Sequence, residues 1–554
     1  MRILSLRIIV LSIILGMAQG QEVNFTSSNL PIIVIDTHGQ YIPDDYRIVA
    51  DMGIIYNGAG NRNNLSDAFN NYNGKIAIEV RGSSSQMFPK KQYALETRLE
   101  TGENNNVSLL GMPPENDWIL YAPYSDKSLM RNVLAYKLAN DIGRYASRIR
   151  FCELVLNDDY RGVYVLMEKI KRDNNRVNIS TLNPDEISGD DLTGGYIVKI
   201  DKWAGESIDG WESPYLPYPG SPYKIFYQYH YPKPDEIVDQ QKNYIQDFMN
   251  SFEAKMYSPE YADPVNGYSS YIDVQSFIDF FILNEIGKNV DGYRLSTFFY
   301  KDRESIDGKL YLGPIWDFNL AFGNADYYDG GTTDGWQVEI NDHPSFSHDS
   351  FKVPFWWKKL LNDEEFINML KCRWTTLRTT LFHKDSLFSV IDDMQYYLEE
   401  SSQRNFQRWP ILGIYIWPNR FVFSTWNAEV NYLRAWLETR LEWMDMNMPG
   451  VCTVGITEDD VLVRNFILNQ NYPNPFNSVT VISWYVGATP TSPVHVDLSI
   501  YNVIGQKVCT LVSEKQNAGF HTVEWDASGF ASGVYYYKIK AGEFHDGKKM
   551  IYIQ

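Results

Sequence analysis

The sequence is poor in several features that would fix its chemistry at once. Only four cysteines occur in 554 residues (Cys152, Cys372, Cys452, Cys509), and no two form a C-x-x-C pair. Such scattered spacing excludes a structural zinc knuckle, and a long chain with its own core needs no disulfide framework. The eight histidines are equally dispersed, with no H-E-x-x-H pair, and "RGSSSQ" (81–86) is not a G-x-S-x-G elbow. Neither a metalloprotease nor a serine hydrolase is therefore supported. Positive charge is also scarce: 50 Lys and Arg stand against 69 Asp and Glu, a net charge of -19. That balance argues against nucleic acid and anionic membrane as partners, since both select a basic surface. The one strongly apolar run, "IIVLSIIL" (8–15), follows Arg2 and Arg7 and precedes the small residues "AQG". It reads as a signal peptide over 1–20, too short to span a bilayer, and predicts an exported mature chain with no transmembrane segment.

What is present is a chain long enough for two or three domains, with 44% apolar and 15% aromatic residues. "LPIIVID", "GKIAIEVRG" and "QYALETR" read as strands, "DKSLMRNVLAYKLANDIG" (126–143) as a helix capped by Asp126, and 150–171 as a hairpin turning at 157–162. This predicts a strand-rich first lobe to about 235. Beyond it, "DVQSFIDFFILNEIGKN" (273–289) is a helix apolar almost all round, 296–318 is a second hairpin, and helices follow over 354–372, 385–402 and 424–446. The fold class is α+β, one domain over 21–450 with a strand-rich first lobe and a helical second lobe. Over 455–554, short alternating strands with glycine turns predict a small all-β, immunoglobulin-like sandwich, entered through the proline-bearing "NYPNPFN" (471–477). The acidic loops 183–195 and 324–336 do not match an EF-hand, and "PFWWKKLL" (354–361) reads as core before it reads as a carbohydrate platform.

"GPIWDFNLAFGN" (313–324) sets Asp317 between Trp316 and Phe318, a costly place for a charge unless something pairs it. Ahead of it lie the buried helix, the loop "GKNVDGYRLS" (287–296) and the hairpin, an order that can fold Asp317 back beside Asp291. In protein kinases this order serves phosphoryl transfer, one Asp receiving the acceptor hydroxyl and a second holding Mg²⁺. Basic residues cluster in two places: Arg81, Lys90, Lys91 and Arg98 against Glu96, and Lys169, Lys171, Arg172 and Arg176 against Glu168 and Asp173. The first cluster follows a loop of glycine and serines, Ser83 among them, able to offer donors to phosphate.

Five stretches in order, "RGSSSQMFPKKQYALETR", 109–139, "GVYVLMEKIKRDNNRVNI", "NVDGYRLSTFFY" and "IWDFNLAFGN", resemble the spore coat protein H (CotH) family over roughly 30–445. The resemblance implies a bilobal, atypical, secreted protein-kinase-like fold that uses ATP and Mg²⁺ or Mn²⁺ to phosphorylate Ser or Thr of a protein substrate. By position it implies Asp291 as the catalytic-loop acid, with Asp317 and Asn319 at the metal. It implies Lys90 or Lys91 at the nucleotide phosphates, with Glu168 as candidate partner of that lysine; adjacent strand residues face opposite sides, so one of the two lysines is expected to be structural. Arg81, Ser83 and Lys169 of the basic stretches complete the nucleotide-binding candidates. The family often reads W-D-x-D, and here Asn319 takes the second acidic place. Ser296 stands where a kinase catalytic loop has Asn, a place Asn289 can fill. These departures keep a second reading open, a non-catalytic surface-binding or adhesion protein on the same scaffold. Residues 470–554 are similar to type A sorting domains, implying the type IX secretion machinery as partner.

Overall fold

The structure is a computed structural model that describes residues 22–202, 209–452, 466–468, 471, 474, 476–486, 493–503, 505–517, 519–542 and 544–553. The signal-peptide stretch 1–20 and residues 472, 473 and 475 of the proline-bearing segment lie outside these. Two compact units divide at Cys452 and Thr453.

The first unit opens with a closed barrel. Its strands are β1 (Ile32–Asp36), β2 (Ile48–Ile55), β3 (Tyr72–Arg81), β4 (Gln92–Arg98), β5 (Asp117–Tyr121), β6 (Ile149–Leu156) and β7 (Asp159–Glu168). They pair in the order β1-β2-β3-β4-β5-β7-β6, and a parallel β1–β6 ladder closes the ring. Alternating apolar residues fill the interior, Ile33, Ile76, Leu95, Trp118 and Leu154 among them. The β6–β7 turn is Asn157–Asp158, both with positive φ (51° and 62°), as a two-residue hairpin demands. Gly162 therefore lies inside β7, not in the turn the sequence suggested. It adopts φ 93°, and a Cβ there would meet Asn405 Oδ1 at 2.6 Å.

A second sheet of five strands draws from both sides of position 235. Its members are β8 (Tyr196–Ile200), β9 (Gly210–Glu212), β10 (Phe226–Tyr231), β11 (Thr297–Lys301) and β12 (Leu310–Leu312), in the order β9-β10-β8-β11-β12. The predicted first lobe is thus split: the three strands over 196–231 stand outside the barrel, in a sheet centred on the β8–β11 ladder, where Tyr196 faces Lys301 and Ile200 faces Thr297. Helices follow or interleave these strands, α1 (Arg131–Asp141), α2 (Asp239–Tyr257), α3 (Val274–Gly287), α4 (Trp356–Leu360), α5 (Glu364–Arg378), α6 (Lys384–Arg408) and α7 (Trp426–Asn447), and α6 packs against barrel strand β7. Helix α3 is buried on nearly every side, and Asp273 caps it by accepting Ser276 N at 2.7 Å. Helix α1 starts later than the pattern suggested. Asp126 stays outside it as a buried anchor, accepting from Arg131 N at 2.8 Å and from its guanidinium at 2.6 Å. Trp356 and Trp357 are core, at 0% and 1% exposure, which removes the carbohydrate-platform reading. A disulfide joins Cys372 of α5 to Cys452 at the end of the unit.

The second unit is all-β. A three-stranded sheet, β13 (Phe466–Leu468), β14 (Val479–Val486) and β17 (Gly519–Asp526), shares one core with a four-stranded sheet. The latter holds β15 (Val494–Asn502), β16 (Lys507–Gln516), β18 (Gly533–Ala541) and β19 (Phe544–Tyr552). Trp484 and Trp525 from one sheet meet Ile500 and Tyr537 from the other, the packing of a sandwich.

Candidate active site

Asp317 lies on the segment that leaves β12 and is held by its backbone. Its N–H donates to Tyr136 Oη at 3.1 Å, the next N–H to Asn132 Oδ1 at 2.6 Å, and Asn289 Nδ2 donates to its carbonyl at 3.4 Å. Two partners come from α1 and one from the loop after α3. They hold a non-glycine residue at φ 61°, a left-handed conformation that persists only when neighbours over-determine it. The carboxylate itself is bonded to no donor among the described residues. Burial pushes it up to about 6, Asp291 and then Asp201 push the same way, and Lys202 and Arg81 oppose them. Trp316 is occupied elsewhere: its ring stacks on Tyr136 at 6.0 Å, and the Arg81 guanidinium lies 5.9 Å above it. The aromatic neighbours therefore shape the wall and leave Asp317 facing the cleft.

The loop after α3 brings the second carboxylate. Lys288 ends the helix in a left-handed conformation, and its Nζ bonds Thr332 Oγ1 at 2.6 Å. Asp291 is 6% exposed and receives Arg294 on Oδ1 at 3.0 Å. Gly292 has no room for a side chain, since a Cβ would meet Asn284 Oδ1 at 2.5 Å. Tyr293 anchors the loop from below through its hydroxyl on Glu285 at 2.9 Å, and Glu285 is paired with Arg440, both at 0% exposure.

A third group comes from the end of "GGYIVKID" (194–201), a stretch that reads as a strand in the sequence but whose terminal acid is not among the predicted site residues. β8 ends at Ile200, and Asp201 and Lys202 follow it into the same cleft. The Asp201 carboxylate accepts from Lys202 N at 2.8 Å, Lys199 Nζ at 3.2 Å and Ser296 N at 3.4 Å. The Lys202 ammonium has no ion-pair partner among the described residues. The signal was available: "YIVKID" and "LGPIWD" are both apolar runs that end on an acid.

The other predicted residues divide. Arg81, at the end of β3, reaches the cleft, and its own charge is disfavoured by burial though favoured by Asp317. Ser83 is exposed at the start of a short 3-10 turn over 84–87. Lys91 is half-buried and donates to the Gln86 carbonyl. Of the two adjacent lysines Lys90 is the structural one and leaves the nucleotide candidates: it is 1% exposed, its Nζ donates to Val163 O at 2.6 Å and Asn405 Oδ1 at 2.8 Å, and it ties the barrel to α6. Burial holds its ammonium well below the ordinary lysine range. Glu168 is corrected too. It is fully buried on Arg148, at 2.8 Å, with Arg176 and the Tyr145 hydroxyl beside it, so it partners neither lysine. Lys169 acts on Asp117 and His230 electrostatically and lies with that group. Asn319 is half-buried two residues past Asp317, its carbonyl bonded to Asn324 Nδ2 at 2.8 Å.

Among the described residues, no group of three or more His, Cys, Asp or Glu is arranged to hold a metal ion alone. Mg²⁺ needs no such group, since it uses one or two carboxylates together with phosphate oxygens and waters. A carboxylate raised by burial and by two acidic neighbours, with no bonded donor, is chemically a fit for a cation that arrives with a polyphosphate.

Comparison with known families gives two matches. The family model described as CotH kinase protein matches residues 78–444, and that of the secretion system C-terminal sorting domain matches residues 470–554. No curated protein matches the chain.

Proposed function

The chain belongs to the CotH kinase protein family, and from that premise we propose that it is a bilobal, kinase-like enzyme. It transfers the γ-phosphoryl group of ATP to a Ser or Thr hydroxyl of a surface or extracellular protein. The observation that carries the reading is the open carboxylate of Asp317, raised to about 6 and opposed by Arg81 and Lys202 across the cleft. Asp317, with Asn319 beside it, would hold the divalent cation. That cation, when bound, neutralises charge developing on the phosphates. Arg81 and Lys202 face the phosphate oxygens, Ser83 and Lys91 lie on the loop bordering them, and Asp291 accepts the hydrogen bond of the incoming hydroxyl. The new bond joins the acceptor oxygen to phosphorus as the bond to the ADP oxygen breaks. The hydroxyl proton leaves toward the Asp291 carboxylate.

The sorting domain over 470–554 marks the chain for export, to the cell surface or beyond, with the type IX machinery as its partner. No helix among the described residues is long and apolar enough to cross a membrane. Asn319 in a place the family often fills with an acid favours a second reading, a surface-binding protein that keeps the scaffold without transfer.

Calorimetric titration of ATP with Mg²⁺, with Mn²⁺ and with EDTA separates the two. Binding that needs the metal and disappears in Asp317→Ala, followed by label transfer from γ-labelled ATP, supports the enzyme. No binding with either metal retires it in favour of the surface-binding reading.

A further inference from the structure

Arg294 stands three residues past Asp291 and is 2% exposed. Its guanidinium makes three directed bonds: Nε to Val290 O at 3.0 Å, one Nη to Asp291 Oδ1 at 3.0 Å, the other Nη to Asp349 Oδ2 at 3.2 Å. Aromatic rings flank it, Phe346 at 5.1 Å and Tyr328 at 5.8 Å. Asp349 is itself fixed, through Phe351 N on Oδ1 at 2.8 Å and the Tyr328 hydroxyl on Oδ2 at 3.3 Å. The backbone around Asp291 is equally constrained, with Tyr293 at φ 69°, Ser296 at φ 48° and Tyr328 at φ 49°.

A cation needed only to balance Asp291 requires no second carboxylate behind it. A chain of carboxylate, guanidinium and carboxylate does something more: it fixes the plane of the middle group and, through it, the rotamer of the last. One oxygen of Asp291 is held by Arg294, which leaves Oδ2 as the oxygen for a proton donor in the cleft. We propose that Arg294, oriented by Asp349, is a positioning residue that holds Asp291 with Oδ2 toward the acceptor hydroxyl. This rests on the phosphoryl-transfer reading and adds to it a segment, 344–350, that reaches the reacting atoms only through a guanidinium. The principle is that of catalytic arrays in which a third group orients the base. A misplacement of about 1 Å at such a base costs on the order of 100-fold in rate.

The test uses the full chain with Arg294→Lys, which keeps the charge and removes the fork, and with Asp349→Ala and Asp349→Asn. ATP binding in Mg²⁺ is read by calorimetry, melting temperature by scanning fluorescence, and transfer from γ-labelled ATP with dephosphorylated casein as acceptor. The expected result is a kcat at least tenfold lower in Arg294→Lys and Asp349→Ala, with Kd and KM for ATP within twofold of wild type. Asp349→Asn, which still offers the guanidinium an oxygen, restores kcat to within about threefold. Unchanged kcat in Arg294→Lys overturns the proposal, as does a kcat loss that tracks the fraction unfolded and is not rescued by Asn. If Arg294→Lys fails to fold, the two Asp349 variants decide by the same criterion. A wild type that binds MgATP but transfers nothing overturns the transfer reading and this role together. Transfer that is equal in wild type and variants overturns only this role.

Discussion

Lys90 in the barrel and Asp317 on the cleft floor are both ionisable groups set among aromatic rings. Lys90 lies 5.0 Å from the Tyr164 ring and gives its protons to Val163 O and Asn405 Oδ1, so its donors have partners inside the protein. Asp317 has its N–H and carbonyl bonded to α1 and the 289 loop, while its carboxylate has no donor among the described residues. Burial disfavours both charges, lowering the ammonium of one and raising the carboxyl of the other. In the barrel the chain answers that cost with hydrogen bonds. In the cleft it adds to it, placing Asp291 and Asp201 nearby. An ionisable group left in that condition is stabilised by what binds it, and this separates the two regions more sharply than their sequence compositions do.

The largest effect should come from Asp317→Asn. Metal-dependent ATP affinity should fall by at least about 100-fold, the upper end for losing even an outer partner of a metal ligand. The same change should stabilise the empty protein. The Asp317 carboxyl titrates near 6 in the folded chain against an ordinary 3.8, so the folded state holds the extra proton between those values. Its contribution is thus most favourable below pH 4 and is lost as pH rises through 6. At pH 7.5, removing the charge should raise stability by up to about 3 kcal/mol, less whatever solvent screening removes. Denaturant unfolding at pH 5 and 7.5 should show this part of the pH dependence in wild type and not in the variant. A destabilised Asp317→Asn would mean that the carboxylate is structural, and the comparison with Lys90 would collapse.

Lys90→Met should do the reverse. It strips donors from two buried oxygens and should cost about 1–3 kcal/mol, read as a lower melting temperature. ATP affinity of the folded protein should stay within twofold of wild type by calorimetry. A large affinity loss with unchanged stability would return Lys90 to the nucleotide site.

The adjacency of Asp291 and Asp317 is legible in sequence because it is local: one buried helix, one loop and one hairpin carry the chain out and back. The apolar girth of α3 and the alternation of the C-terminal strands are local signals as well. Asp201 and Lys202 are legible only in part: an apolar run ending on an acid marks the strand, but the β8–β11 ladder that brings it to the site joins residues about a hundred positions apart and carries no mark in either strand. The same ladder, extended through the β8–β10 and β9–β10 pairings, takes β8, β9 and β10 out of the barrel. The fates of Lys90 and Glu168 depend on Asn405 and Arg148, contacts that a run of basic residues does not announce. Both basic stretches were conspicuous against a net charge of -19, and most of that charge is bonded within the protein.

The smallest effect, and the finest test, concerns Arg81 and Lys202. Both are half-buried at the cleft, both act on Asp317, and neither is ion-paired with a carboxylate among the described residues. Arg81 is the more enclosed, over Trp316, and Lys202 sits at a strand end beside Asp201. Each replaced by Met should weaken MgATP binding about five- to tenfold, roughly 1–1.4 kcal/mol, without moving the melting temperature by more than a degree or two. Salt should separate them. A charge near bulk water is screened over about 8 Å at physiological ionic strength, and an enclosed one much less. Raising salt to 0.5 M should therefore shrink the Lys202→Met effect and spare most of the Arg81→Met effect. If both effects vanish together, the two cations act as a diffuse surface field and the phosphate contact lies elsewhere in the cleft. If neither responds, Lys202 is as enclosed in the nucleotide complex as Arg81, and the cleft closes over the phosphates from the β8 side.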